Sequence, residues 1–228
     1  MKIGENIQDS FTFTHEALFG KWVRWIMLAI SSLIFPIMYG YTVKIMRGVQ
    51  PSYEEESFFT LFIDGIKLLV INIVYMIIPL IACAATVGYA VFGIISAGKN
   101  FSLDTLLSMA GGLITGLVLT IILAIIFTLL NVIASVRFAR TGSIGEAFAI
   151  GEIISTIKKI GWVNYIFSLI VLFIVVAVIV IVLTCVEMAL NVIPLIGIIL
   201  GWIISLFTGP YLSILTTRYY SLLYDEGV

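Results

Sequence analysis

The sequence predicts an all-α fold, a polytopic transmembrane bundle of helical hairpins accompanied by interfacial amphipathic helices. Three observations predict it. Of the 228 residues 61% are hydrophobic and only 11% charged, with a mean hydropathy of +1.20; soluble domains hold roughly 45–50% apolar and about 25% charged residues. Uncharged runs at 68–96, 105–136 and 161–186 each exceed the ~20 residues a helix needs to cross a bilayer. Basic residues flank the runs, as headgroup anchoring requires.

Taken in order, an amphipathic stretch at about 5–19 leads to the first apolar run, 22–46, which is interrupted by Pro36 and flanked by Lys21, Arg24, Lys44 and Arg47. A polar segment with Pro51, Glu54, Glu55 and Glu56 follows, then a second amphipathic stretch at about 57–66. The run 67–97 carries Pro79, an expected kink in an apolar helix. A short link leads to the run 105–136, which ends at Arg137. Residues 144–160 place Ile144, Ala147, Ile150, Ile153, Ile157 and Ile160 on one 3.6-residue stripe, with Glu146, Glu152 and Lys159 opposite. Such a helix lies in the interface plane or packs on its own bundle. The runs 161–189 and 195–222 follow, separated by a tight link around Asn191 and Pro194. The whole chain, 1–228, reads as one integral membrane domain.

An opening pattern recurs three times, at Asp9-Ser10-Phe11, Glu56-Ser57-Phe58 and Glu146-Ala147-Phe148. A lysine follows each (Lys21, Lys67, Lys158), then a long apolar stretch that closes on an arginine, namely Arg47, Arg140 or Arg218. The repeating unit is an interfacial helix leading into a membrane hairpin. Its first copy is short, since 22–46 is about one span long.

Two topologies follow. If all five runs cross, Lys2, Lys21, Arg24 and Lys99 lie on one side and the other eight basic residues on the other. If the Pro36-broken run dips in and returns, Lys99 stands alone outside. The excess of positive charge makes the C-terminus cytoplasmic in both cases. The expected location is the plasma membrane. Residues 1–20 are polar and acidic, so no cleavable leader is expected.

Polar residues within spans are functional candidates because their burial in lipid is costly. Here they are Asn72, Asn131, Asn164 and Glu187. Asn72 lies five residues beyond Lys67 and Asn131 six before Arg137, so both fall about 8–9 Å from the same interface and can bond across an antiparallel hairpin. Glu187 is expected at the outer interface, as a solvated carboxylate or a cation-coupled site. Asp64 and Glu152 read as solvated faces. The spacings Gly112-x3-Gly116 and Gly197-x3-Gly201 permit close helix contact, within the chain or between copies.

Other chemistries lack their parts. A net charge of −1 offers no basic stripe for nucleic acid. His15 is the only histidine, and Cys83 and Cys185 form no CxxC pair, so neither a metal site nor a disulfide framework is expected; both cysteines read as small apolar residues within spans. Ser96-x2-Lys99 and Ser155-x2-Lys158 match S-x-x-K without the companion motifs of that enzyme class. No cofactor and no enzymatic activity are expected.

The stretch Tyr39-Gly-Tyr-Thr-Val-Lys-Ile-Met-Arg47, the acidic Pro51 loop, Leu61-Phe-Ile-Asp-Gly-Ile-Lys67, and the ending Gly209-Pro210 with Arg218-Tyr-Tyr-Ser-Leu-Leu-Tyr224 together resemble the family called domain of unknown function 4013. The loop departs from it in reading Ser-Tyr-Glu-Glu-Glu without a Trp. The resemblance implies an archaeal membrane protein and transfers no functional residue. The expected function is a non-enzymatic module that organises lipid or scaffolds a partner protein; the alternative is a small transporter or permeation subunit. Expected partners are membrane lipids, a further copy of the chain, or a cytoplasmic or membrane protein.

Overall fold

Length and apolarity decide which helices can cross a bilayer. The structure, a computed structural model, describes residues 2–48, 58–98, 102–193 and 196–228. Its helices are α1 (Ile3–Leu18), α2 (Trp22–Leu33), α3 (Phe35–Met46), α4 (Phe58–Ala97), α5 (Leu103–Thr141), α6 (Ile150–Ile160), α7 (Trp162–Leu190) and α8 (Ile196–Asp225), with a 3-10 turn at Gly145–Phe148. Among the described residues four helices are long and apolar enough to cross: Phe58–Ala97, Met109–Thr141, Trp162–Leu190 and Gly197–Asp225. At 12 residues each, α2 and α3 reach about 18 Å, short of a hydrocarbon core of roughly 30 Å. Lys99 and the acidic triplet at 54–56 lie outside the described residues.

The run 22–46 is therefore not one helix. It breaks at Ile34, whose ψ of 81° is non-helical, just ahead of Pro36. Pro36 sits in the first turn of α3, where its missing N–H has no helical partner to lose, so a helix start here costs little. The segment 57–66 also differs from expectation: from Phe58 onward it is the opening of α4 with no separation. The reason is glycine usage. Gly20 and Gly161, at φ of +74° and +92°, turn the chain between α1 and α2 and between α6 and α7, in the left-handed region that glycine adopts freely. Gly65 stays helical and serves a close crossing instead. A Cβ there would overlap the Pro36 carbonyl, and one on Gly40 would overlap the Leu61 carbonyl.

The chain packs as two compact units, Met1–Leu69 with Ile133–Val228, and Val70–Val132. In the first, α1, α2, α3 and α7 all pack on α8. Asn6 Nδ2 donates to the Glu226 carboxylate at 2.8 Å, and Asp9 pairs with Arg218 at 2.7 Å, so α1 lies beside the C-terminal half of α8. Trp25 Nε1 donates to the Phe207 carbonyl at 3.0 Å, and the Ser221 hydroxyl meets the Met46 carbonyl at 3.5 Å. The level of Phe207 is about 21 Å deeper along α8 than that of Ser221. Between Asn6 and Met46 the chain thus goes in and comes back on one side of this unit. A core of Phe13, Ala17, Leu18, Leu28, Met38, Tyr41, Ile45 and Ile214 fills the fold it makes.

The open question about the amphipathic helix at 144–160 also resolves. The face of α6 that carries Ile153, Ile157 and Ile160 is buried, and α6 packs on α7 and α8, while Lys158 and Lys159 remain exposed. It covers its own bundle.

In the second unit, α4 and α5 form an antiparallel hairpin. Tyr75 faces Phe127, Thr86 faces Gly116, Tyr89 faces Gly112 and Gly93 faces Met109. Steps forward along α4 are matched by steps backward along α5. No residue of the most apolar α5 window is buried, as suits a lipid-facing surface.

Gly65→Ala should destabilise the protein by about 1–3 kcal/mol, the cost of overpacking, whereas Gly88→Ala, whose Cβ meets nothing within 4 Å, should be neutral or stabilising by up to about 1 kcal/mol. Thermal unfolding of both variants in detergent checks the pair.

Candidate functional site

Arg47, Arg137, Arg140 and Arg218 of the first unit each meet a carboxylate of the chain. Arg47 bonds the Asp64 carboxylate, and Lys67 reaches the same group at 3.3 Å. Arg137 meets Glu146 at 2.6 Å and Glu152 at 4.0 Å. Arg140 meets Asp225 at 2.8 Å and donates to the Ser221 hydroxyl at 3.0 Å. Arg218 pairs with Asp9 and lies 4.8 Å above the Phe13 ring. Each arginine that closes an apolar run is thus matched by a carboxylate of the chain itself.

This corrects the reading of Asp64. It is not on a solvated face: it is buried, with 6% of its surface exposed, and two basic groups hold it. Glu152 is exposed, as expected. A signal was present in the sequence: Asp64 lies three residues before Lys67, a spacing that brings opposite charges together on a helix. Nothing there pointed to Arg47.

The predicted polar residues separate into three settings. In the α4–α5 hairpin, Asn131 Nδ2 donates to Asn72 Oδ1 at 2.9 Å, the cross-hairpin bond that their equal depth predicts. Asn164 turns back on its own chain, donating to the Ile160 carbonyl at 3.4 Å. Glu187 accepts a bond from the Ser205 hydroxyl at 2.8 Å and lines a groove of about 430 Å³ with Asn191, Ile198, Gly201, Trp202 and Ser205.

The four glycines have intrachain neighbours. A Cβ on Gly112 would strike the Tyr89 ring, one on Gly116 would lie 2.5 Å from the Thr86 hydroxyl, and one on Gly197 would overlap the Leu190 carbonyl. Gly201 is looser, with the Glu187 Cγ at 3.9 Å; it leaves room for the groove. Cys83, half-buried in α4, and Cys185, exposed on α7, are both free thiols within spanning-length helices. Among the described residues no group of three His, Cys, Asp or Glu could hold a metal.

Four spanning-length apolar helices, with charge confined to their ends and to one half-exposed carboxylate, define a helical membrane protein. The family model described as protein of unknown function (DUF4013) matches residues 26–188. The chain belongs to that family. No curated protein and no solved structure matches it.

Two predictions follow from these polar contacts. Asn72→Leu and Asn131→Leu, alone and together, should give a coupling energy of about 0.6–2 kcal/mol in a double-mutant cycle of unfolding in detergent; additive losses would show that the bond contributes nothing. Asp64→Ala should cost about 1.5–3 kcal/mol, because it removes the charge-assisted bond that the buried carboxylate makes to Arg47. Glu152→Ala should stay within about 0.5 kcal/mol, so chemical denaturation must rank the two far apart.

Proposed function

We propose that the protein is a non-enzymatic membrane module that organises the lipid of the cytoplasmic leaflet of the plasma membrane. One observation carries the reading: α2 is too short to cross yet turns apolar side chains outward, with Trp22, Ile26, Met27, Ile30 and Leu33 all exposed. Such a helix sits in one leaflet only, as a wedge. Its inner face, Leu28 and Ala29, is buried.

For orientation the reading takes four spans and a re-entrant segment, which α1 lying beside the C-terminal half of α8 supports. On that topology the sequence count is eleven basic residues against one, and the positive-inside rule favours the crowded side as cytoplasmic. The transporter alternative calls for polar residues of several spans on one connected cavity. Asn72 and Asn131 instead satisfy each other, and Asn164 bonds locally, which weighs against them as a path.

Native mass spectrometry of the protein extracted with its own lipids, paired with solute efflux from proteoliposomes, tests the reading. Lipid should remain bound, and replacing Ile26, Ile30 and Leu33 by Ser should reduce it, while efflux stays at the level of protein-free vesicles. Efflux above that level would favour the transporter, and a stoichiometric protein partner would favour a scaffold.

A further inference from the structure

We propose that the groove between the ends of α7 and α8 holds an amphiphile with an ammonium headgroup, its nitrogen on the Glu187 carboxylate and its hydrocarbon running inward along the hairpin. The inference rests on the lipid-organising reading and extends it to the opposite leaflet, since the α7–α8 connection lies at the other end of α8 from Arg218 and Asp225.

Glu187 differs from the four carboxylates that pair with arginines. Asp9, Asp64, Glu146 and Asp225 each face an arginine, but Glu187 has no basic partner among the described residues; its bond comes from Ser205. Gly201 is level with Glu187 across the hairpin. Ser205 lies one turn further from the connecting end, about 6 Å. The carboxylate is therefore drawn toward the middle of the hairpin rather than out toward its end. A negative charge held there is costly without a counterion.

Two further features suit a cation. Glu187 lies in the last turn of α7, which ends at Leu190, so the negative end of the helix dipole adds to its field. Trp202 lines the same groove, and an indole favours cationic groups.

The dimensions argue for an organic ion. A groove of about 430 Å³ is of small-ligand size and far larger than a bare metal needs. It adjoins a second hollow of about 270 Å³ that shares Glu187 and Ser205 and continues to Val180, Leu183, Gly209 and Leu212. Polarity falls along this path, from Asn191 and Trp202 through the carboxylate and the Thr184 and Thr208 hydroxyls to aliphatic side chains about 10 Å further in. A charged head with a hydrocarbon tail matches that gradient. A soluble cation would use only the first part.

The test is native mass spectrometry of the full chain in micelles with equal amounts of phosphatidylethanolamine and phosphatidylglycerol. The wild type should retain the ethanolamine lipid about tenfold better, the worth of one charge-assisted bond. Glu187→Gln, which keeps the side chain's shape and removes its charge, should equalise the two. Gly201→Leu, which fills the groove and leaves the carboxylate, should do the same and covers the case in which the first variant does not fold. Equal retention by the wild type, or a preference that survives both variants, overturns the inference. Displacement of the lipid by free ethanolamine at equal concentration overturns the amphiphile and leaves a soluble amine. If both lipids still bind without distinction, only this site fails; if neither binds, the lipid-organising reading fails with it.

Discussion

The charged links between helices of the first unit depend on four arginines finding carboxylates elsewhere in the chain. Asp9 reaches Arg218, Asp64 reaches Arg47, Glu146 reaches Arg137 and Asp225 reaches Arg140. Exposed ion pairs contribute little, typically below about 1 kcal/mol. These are half-sheltered by packing, and bidentate or multiply bonded arginines hold geometry as well as charge. They tie α1 to α8, α3 to α4 and α5 to α8. The first of these links sets α1 beside the C-terminal half of α8, and the short helices α2 and α3 bring the chain back toward the same end.

Much of the membrane architecture was legible because it rests on local physics. Apolar runs of spanning length identify the crossing helices, and the rise per residue placed Asn72 and Asn131 at one depth before any partner was visible. The Gly112 and Gly116 spacing likewise found its neighbours across the same hairpin. What sequence could not supply was choice among partners. Arg47 has several acids within reach in the sequence, and only the tertiary fold selects Asp64. The inward aim of Glu187 is equally invisible, since it depends on Ser205 lying one turn beyond the glycine opposite.

The threefold opening pattern is realised unequally. In its first and last copies an amphipathic helix ends at a left-handed glycine, Gly20 or Gly161, and a tryptophan, Trp22 or Trp162, begins or nearly begins the next helix. In the middle copy the corresponding glycine, Gly65, stays within α4 and receives the backbone of α3. The same small residue thus separates two elements in one place and lets two others cross in another. A sequence pattern alone does not distinguish these uses, since both need only the absence of a side chain.

The dependence of α2 and α3 on α8 has a consequence for how the protein is made. A ribosome releases the first 46 residues long before α8 exists, yet a 12-residue apolar helix is too short to be anchored across the bilayer by itself. Until α8 emerges, Leu28, Met38, Tyr41 and Ile45 lack Ile214. The beginning of this chain therefore reaches its final place last, when the end of the chain arrives to receive it.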